Sequence, residues 1–335
     1  MLKLGIIGLG RIGKVHLQSI THYVSDAMVK AVADPLLSDK TAQWAQSFGV
    51  VYTTKDYHDL LNDSEINAVL ICSSTDTHAP ISIEAIKAGK HVFCEKPIAH
   101  DVATIQKVIA TLDGTDIKYQ VGFNRRFDHN FKAIRKAVES GKIGSPEIVK
   151  ITSRDPEPPN VDYVKVSGGI FLDMTIHDFD MVRYLTGSDV EEVYVQSAVL
   201  VDPSIAKVGD VDTAIISLKM KNGALAVIDN CRRSIYGYDQ RAEVFGSKGM
   251  AAIENDTDSN MKLSDKSGVT GEKPMFFFLE RYMQAYAQEL IEFVDAIENG
   301  KPTSVNQIDG LQAVRIGIAA TKSMHEHRPV SLAEI

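Results

Sequence analysis

The sequence predicts an α/β protein of two domains. Residues 1–122 read as a doubly wound parallel sheet, and 123–335 as a larger α/β domain on an open, mostly antiparallel sheet. Three observations predict it. A chain of 335 residues exceeds what one hydrophobic core usually organises. Through residue 121, short continuous apolar runs alternate with helical patterns, as in a sheet covered on both faces. From residue 146, strand-like runs follow one another directly, as in an antiparallel sheet.

The apolar runs of the first part are 2–8, 28–33, 68–72, 91–94 and 117–121. Amphipathic stretches such as 78–89 and 102–112 fall between them and predict covering helices. In the second part the runs are 146–153, 191–201, 212–219, 224–230 and 240–246, with Lys221-Asn222-Gly223 as a turn between two of them. One helix is expected over 169–185, a polar loop over 255–273, and two long helices over 276–298 and 306–326. Asn299-Gly300-Lys301-Pro302 separates the last two.

Composition narrows the function classes. A hydrophobic fraction of 44% and a charged fraction of 24% are those of a globular protein. A net charge of -8 argues against a nucleic-acid partner and against docking on an anionic membrane. No apolar run approaches the ~18 residues of a membrane span. The apolar start, MLKLGIIGLG, is interrupted by Arg11, Lys14 and His16, so it does not read as a signal peptide. Three widely spaced cysteines make neither a disulfide framework nor a cysteine metal site, and a cytoplasmic setting is expected.

Gly8-Leu9-Gly10-Arg11-Ile12-Gly13 follows the first strand and opens a helical pattern. In this spacing Gly8 makes a tight turn, Gly10 lets a pyrophosphate approach the backbone, and Gly13 lets helix and strand pack closely. The helix start then offers free N–H groups and a positive dipole end to phosphate. Asp34 closes the second strand, about 20 residues on, where an acid accepts from ribose hydroxyls. Together these predict a Rossmann domain. A carboxylate there repels a 2′-phosphate, so NAD is expected over NADP, with Lys40 the one nearby cation against it. The plainer reading is a glycine-rich turn in an unrelated α/β fold. The loop Ser73-Ser74-Thr75-Asp76-Thr77-His78 follows the strand 68–72 and is placed to touch the cofactor; Asp76 or Thr77 would also serve as a helix cap.

Lys96 lies just past the strand 91–94, between Glu95 and Pro97. It reads equally as a surface lysine or as a group presented at the cofactor rim. In Gly168-Gly169-Ile170-Phe171-Leu172-Asp173-Met174-Thr175-Ile176-His177, Asp173 and His177 stand four apart, neighbours on one face of the expected helix. Such a pair suits general-base work on an alcohol; a plain helix salt bridge is the ordinary alternative. With no HEXXH and no third ligand, no metal is expected. Asp178 and Asp180 read as capping or surface groups, and Asn124-Arg125-Arg126 as either substrate contacts or a pin at the domain junction.

These segments taken together resemble the Gfo/Idh/MocA oxidoreductases. The likeness rests on GLGRIG with Asp34, EKP at 95–97, VGFNRRFD at 121–128, GGIFLDMTIHDFD at 168–180 and GYDQRAEVFGSKG at 237–249. The GFNRRFD and SRDP segments are most similar to the inositol dehydrogenase branch. The resemblance implies a catalytic trio of Lys96, Asp173 and His177. It also implies NAD bound by Gly8, Gly10, Arg11, Ile12, Gly13, Asp34, Ser73, Ser74, Thr75, His78, Glu95 and Lys96. A polyol would meet Asn124, Arg126, Asp155, Thr175 and Tyr236. The implied reaction is oxidation of a ring secondary alcohol of a cyclic polyol, myo-inositol to 2-keto-myo-inositol foremost, in a homotetramer formed through the second domain's sheet. Alternatives are a sugar dehydrogenase or keto-sugar reductase at the same site, or a non-catalytic nucleotide-binding sensor.

Overall fold

Strand and helix alternate in the first third of the chain as the apolar spacing requires. The structure is a computed structural model that describes all 335 residues. The order is β1 (Leu2–Ile7), α1 (Arg11–Tyr23), β2 (Ala27–Ala33), α2 (Asp39–Gln46), β3 (Tyr52–Thr54), α3 (His58–Asn62), β4 (Ala68–Ile71), α4 (Thr75–Lys87), β5 (His91–Cys94), α5 (Val102–Leu112) and β6 (Tyr119–Val121). All six strands run parallel, in the order β3-β2-β1-β4-β5-β6. Every residue of β4 is buried, which explains its continuous apolar run. The half-buried β3, Tyr-Thr-Thr, is too short and polar to stand out in the sequence.

A 3-10 turn at Asn124–Phe127 leads into α6 (His129–Glu139), β7 (Pro146–Arg154), α7 (Val161–Ser167), α8 (Gly169–Asp173), α9 (Ile176–Thr186), β8 (Val190–Ala198), α10 (Pro203–Ala206), β9 (Thr213–Met220), β10 (Leu225–Cys231), β11 (Asp239–Gly246), β12 (Gly249–Ile253), β13 (Lys262–Asp265), β14 (Gly268–Gly271) and α11 (Phe278–Arg281). The chain ends with α12 (Met283–Glu298), α13 (Gln307–Glu326) and β15 (Val330–Ser331). The second sheet has the order β12-β11-β7-β10-β9-β8-β15. Only β7 and β10 pair in parallel; the other pairs are antiparallel. Burial alternates along β9 and β10, so this sheet buries one face and leaves the other open.

Three features differ from the sequence expectation. The helix expected over 169–185 is two helices, α8 and α9, with α7 before them. Gly168 and Gly169, at φ 86° and 77°, part α7 from α8, and a break at Met174-Thr175 parts α8 from α9. The expected loop 255–273 contains the exposed hairpin β13–β14. Third, the chain forms two compact units, Met1–Phe127 with Met283–Val314, and Asp128–Tyr282 with Arg315–Ile335. The segment 283–314, read from sequence as part of the second domain, therefore belongs with the first.

Its side chains show why. Leu290, Phe293 and Val294 of α12 are buried in one core with Leu4, Ile6, Leu70 and Phe93. Phe293 meets the edge of Phe93 at a centroid distance of 5.9 Å. No helix is long and apolar enough to cross a membrane. Phe293→Ala leaves a cavity in the first core and is expected to cost about 3–5 kcal/mol, read from the shift in the urea unfolding midpoint.

Candidate active site

Two glycines shape the loop between β1 and α1. Gly8 sits at φ +94°, and a Cβ on it would lie 2.7 Å from the backbone of Cys72 and Ser73. A Cβ on Gly13 would lie 2.0 Å from the Gly8 carbonyl oxygen. Both positions exclude any other residue. Gly10 differs: a Cβ there meets nothing within 4 Å. That open space lies at the N-cap of α1, which has no side-chain cap. A helix start of this kind can receive a phosphate on its N–H groups. Arg11 is exposed beside it and Ile12 half-buried. Asp34 directly follows β2, its carboxylate fixed by two backbone donors, Leu9 N–H at 2.6 Å and Leu36 N–H at 2.7 Å. Loop, helix start and acid together fit a dinucleotide.

The next loop is partly internal scaffolding. Helix α4 begins at Thr75 with Ser74 as its N-cap, so neither Asp76 nor Thr77 caps it. Ser73 Oγ pairs with Thr77 Oγ1 at 2.6 Å. His78, expected among the cofactor residues, is buried and bridges two carbonyls: Nδ1 to Pro97 at 2.8 Å and Nε2 to Ser73 at 3.0 Å. Two acceptors call for two N–H donors, hence the imidazolium. Burial works against that charge, but Cys94 and the two carbonyls outweigh it and push the pKa up to about 9. His78 is a clip between the Ser73 loop and the Pro97 turn.

Glu95, also expected at the cofactor, turns inward: its Oε1 lies 2.6 Å from Nε2 of His16, which is fully buried. Lys96, next to it, is half-buried at the carboxyl edge of β5. Asn124 is buried, and Arg126 donates to Asp309 at 2.9 Å and to the Ser304 carbonyl at 3.4 Å, joining the 3-10 turn to α13 and the segment before it. Both partners lie with Arg126 in the first unit, so these bonds are internal to that unit and are not the pin at the domain junction weighed from sequence.

In the second unit Asp173 closes α8, accepts from the Tyr163 hydroxyl at 2.8 Å and faces the Arg232 guanidinium at 3.3 Å. Asp173 and His177 therefore stand on successive helices rather than one helix face. His177 is half-buried in the first turn of α9. The arginine, only 1% exposed, also lies 3.9 Å from Asp155. The sequence reading missed Arg232; a charged pair, Arg232-Arg233, straight after a strand was the available signal. Asp210 accepts from Ile170 N–H, and burial raises its pKa.

Thr175, expected at the substrate, is fully buried and donates to Asn230 at 2.6 Å. Asn230 in turn donates to Asp178 at 3.0 Å. Asp178 and Asp180 are fully buried, not surface groups. Tyr236 is 40% exposed, donates to Asp239 at 2.6 Å and accepts from Arg154 at 3.2 Å. Two groups have metal-like donor sets, His16/Glu95/Glu289 and Asp128/His129/Asp256. In the second, Arg281 already supplies the cation, 2.6 Å from Asp128 and 3.0 Å from Asp256.

Residues 2–123 match the oxidoreductase family with an NAD-binding Rossmann fold, and 131–252 match the Gfo/Idh/MocA C-terminal domain. The chain belongs to the Gfo/Idh/MocA oxidoreductases. It is 48% identical over 334 residues to a myo-inositol 2-dehydrogenase of Thermotoga maritima, covering 100% of this chain and 99% of that one. It is 44% identical to an inositol 2-dehydrogenase of Rhizobium meliloti, covering 99% of each. Among solved structures it superposes with a TM-score of 0.91 on scyllo-inositol dehydrogenase from Lactobacillus casei with bound NAD(H) and scyllo-inositol, at 30% identity and 99% coverage of both chains. As a Gfo/Idh/MocA member the protein is an NAD-dependent oxidoreductase acting on CH–OH donors.

The two glycine environments separate binding from folding. Gly10→Ala adds a methyl only to open space, so the melting temperature should stay while NAD affinity falls ~10-fold or more. Gly13→Ala should lose both, because its Cβ collides with the backbone at 2.0 Å. Calorimetric titration with NAD and thermal melts distinguish the two.

Proposed function

We propose that the protein oxidises a ring secondary alcohol of a cyclic polyol to the ketone, with myo-inositol, giving 2-keto-myo-inositol, as the leading substrate. The observation that carries this reading is the division of labour in the Glu95-Lys96 pair. Glu95 is buried and paired with His16, whereas Lys96 beside it is half-buried at the carboxyl edge of β5, where doubly wound sheets bind their ligands. The inositol dehydrogenases similar to this chain over nearly its full length support the substrate class.

In the proposed mechanism His177 takes the hydroxyl proton. Asp173, its own orientation set by Tyr163 and Arg232, orients His177 and stabilises the imidazolium. Lys96 donates to the substrate oxygen and stabilises the developing alkoxide. NAD, when bound, supplies the hydride acceptor. Asp155 and Tyr236 are proposed to meet polyol hydroxyls; Asp155 sits near the Arg232 that also faces Asp173.

We further propose a homotetramer through the open face of the second sheet. Met250, Phe245, Ile148 and Leu225 are cross-strand partners on four adjacent strands, and are 56%, 44%, 41% and 55% exposed. An apolar row of this kind is the signature of a covered face, and a second copy of the chain is the occupant proposed.

Two experiments test these readings. His177→Ala should lower kcat ~10²–10⁴-fold and Lys96→Ala ~10²–10³-fold in NAD reduction by myo-inositol, with scyllo-inositol, glucose and xylose run alongside. Near-wild-type turnover in either variant removes that residue from the mechanism, and a preference for glucose or xylose moves the substrate to the aldoses. For assembly, Phe245→Glu should reduce the mass measured by light scattering below that of four chains, and an unchanged mass would place the contact elsewhere.

A further inference from the structure

Behind Lys96 the first unit holds a group with no part in the mechanism above. His16 from α1, Glu95 from the end of β5 and Glu289 from α12 bring one nitrogen and two carboxylate oxygens within 4.8 Å of one another. His16 and Glu289 are 0% exposed, and Glu95 is 8% exposed. Rings close over the histidine: Phe93 at 5.1 Å and Tyr286 at 5.8 Å, both edge-on. Glu95 lies so close to the chain that a Cβ on Gly122 would stand 2.9 Å from its Oε2.

The hydrogen bonds define the charge. His16 Nε2 lies 2.6 Å from Glu95 Oε1, while Nδ1 is buried with no hydrogen-bond partner. An imidazolium would leave a bare N–H there, so the neutral tautomer with its proton on Nε2 fits. Glu95 is then the anion. Neither oxygen of Glu289 has a hydrogen-bond partner, although the side chain is wholly buried. Two adjacent buried anions without a cation would be prohibitive. Burial first, and the Glu95 charge second, push the Glu289 pKa well up.

We propose that His16, Glu95 and Glu289 are positioning residues for Lys96, a sealed trio carrying a single negative charge, with Glu289 as the neutral acid. It rests on the reading of Lys96 as a reacting group. Glu95 and Lys96 follow β5 directly, so a Glu95 side chain locked inward restrains the backbone that carries Lys96. The lock joins three elements at one point. The helix that begins at the phosphate loop, the strand edge that presents Lys96, and the helix that returns from residue 283 all meet at Glu95. Glu95 also completes the strand, donating its N–H to the Ile71 carbonyl at 3.0 Å.

The test uses the full chain with Glu95→Gln, Glu289→Gln and Glu289→Ala, and Lys96→Ala as the control for the underlying reading. Infrared difference spectra of the cofactor-free protein should show a protonated-carboxyl carbonyl band in the wild type that is missing from Glu289→Gln. Glu289→Gln, neutral and equal in shape, should keep kcat within ~3-fold, whereas Glu95→Gln and Glu289→Ala should lose ~10- to 100-fold in kcat with NAD affinity little changed, as expected of a displaced reacting group. The inference is overturned if no carboxyl band disappears, if Glu289→Gln is as impaired as Glu289→Ala, or if Glu95→Gln turns over like the wild type. Should Glu289→Ala not fold, the band and the two glutamine variants still decide. Wild-type turnover by Lys96→Ala would instead sink the reading of Lys96, while the band, which needs no turnover, would stand.

Discussion

In the first unit α1 packs against its own loop so tightly that Gly13 lies against the Gly8 carbonyl with no room for a methyl group. The site depends on this contact. It lays the helix start where its N–H groups face open space at Gly10. It also fixes the angle at which the helix continues. Three residues on, and so on the same helix face, His16 reaches Glu95 at 2.6 Å. A change in one glycine would thus move both the phosphate cradle and the partner of the residue next to Lys96.

The second unit is organised by a buried polar chain rather than by close backbone contact. Asn230 of β10 receives Thr175 and donates to Asp178 and to the Ser153 carbonyl. Each group is buried, and each is satisfied in this chain, so the arrangement has one low-energy solution. That solution fixes where α8 stops and α9 starts. The consequence for Asp173 is direct: at the end of α8 it is free of the α9 ladder and is held by Tyr163 and Arg232 instead.

Both successes and failures of the sequence reading have physical causes. The parallel strands were legible because β4 and its neighbours are apolar on nearly every residue, and Gly8, Gly10 and Gly13 were legible because each spacing has one mechanical purpose. The break at Thr175 was not, since an i,i+4 pattern looks the same whether or not a buried asparagine interrupts the helix. Nor was the return of α12 to the first core. Periodicity shows that Leu290, Phe293 and Val294 share a face, but not which core that face joins. The internal partners of His78 and Thr175 were hidden for a related reason: a polar residue beside a binding motif can serve the loop's own carbonyls or a buried partner. The trio around Glu95 was illegible because its members lie on three elements far apart in sequence.

The two faces of the second sheet show how one strand serves two tasks. On β10, Asn230 points to the covered face and holds α9, while Asp229, its neighbour in sequence, points to the open face and pairs with Arg154 of β7. At the other end of the same strand Leu225 lies on that open face, in the apolar row with Ile148 and Phe245. The alternation is strict, so a slip of one residue in register would bury Leu225 and Asp229 and expose Asn230, breaking the helix anchor and the apolar row together. The antiparallel pairing of β10 with β9 and its parallel pairing with β7 hold this register from both sides. The exposed apolar row and the anchor of α9, the helix that carries His177, are therefore products of one hydrogen-bond register.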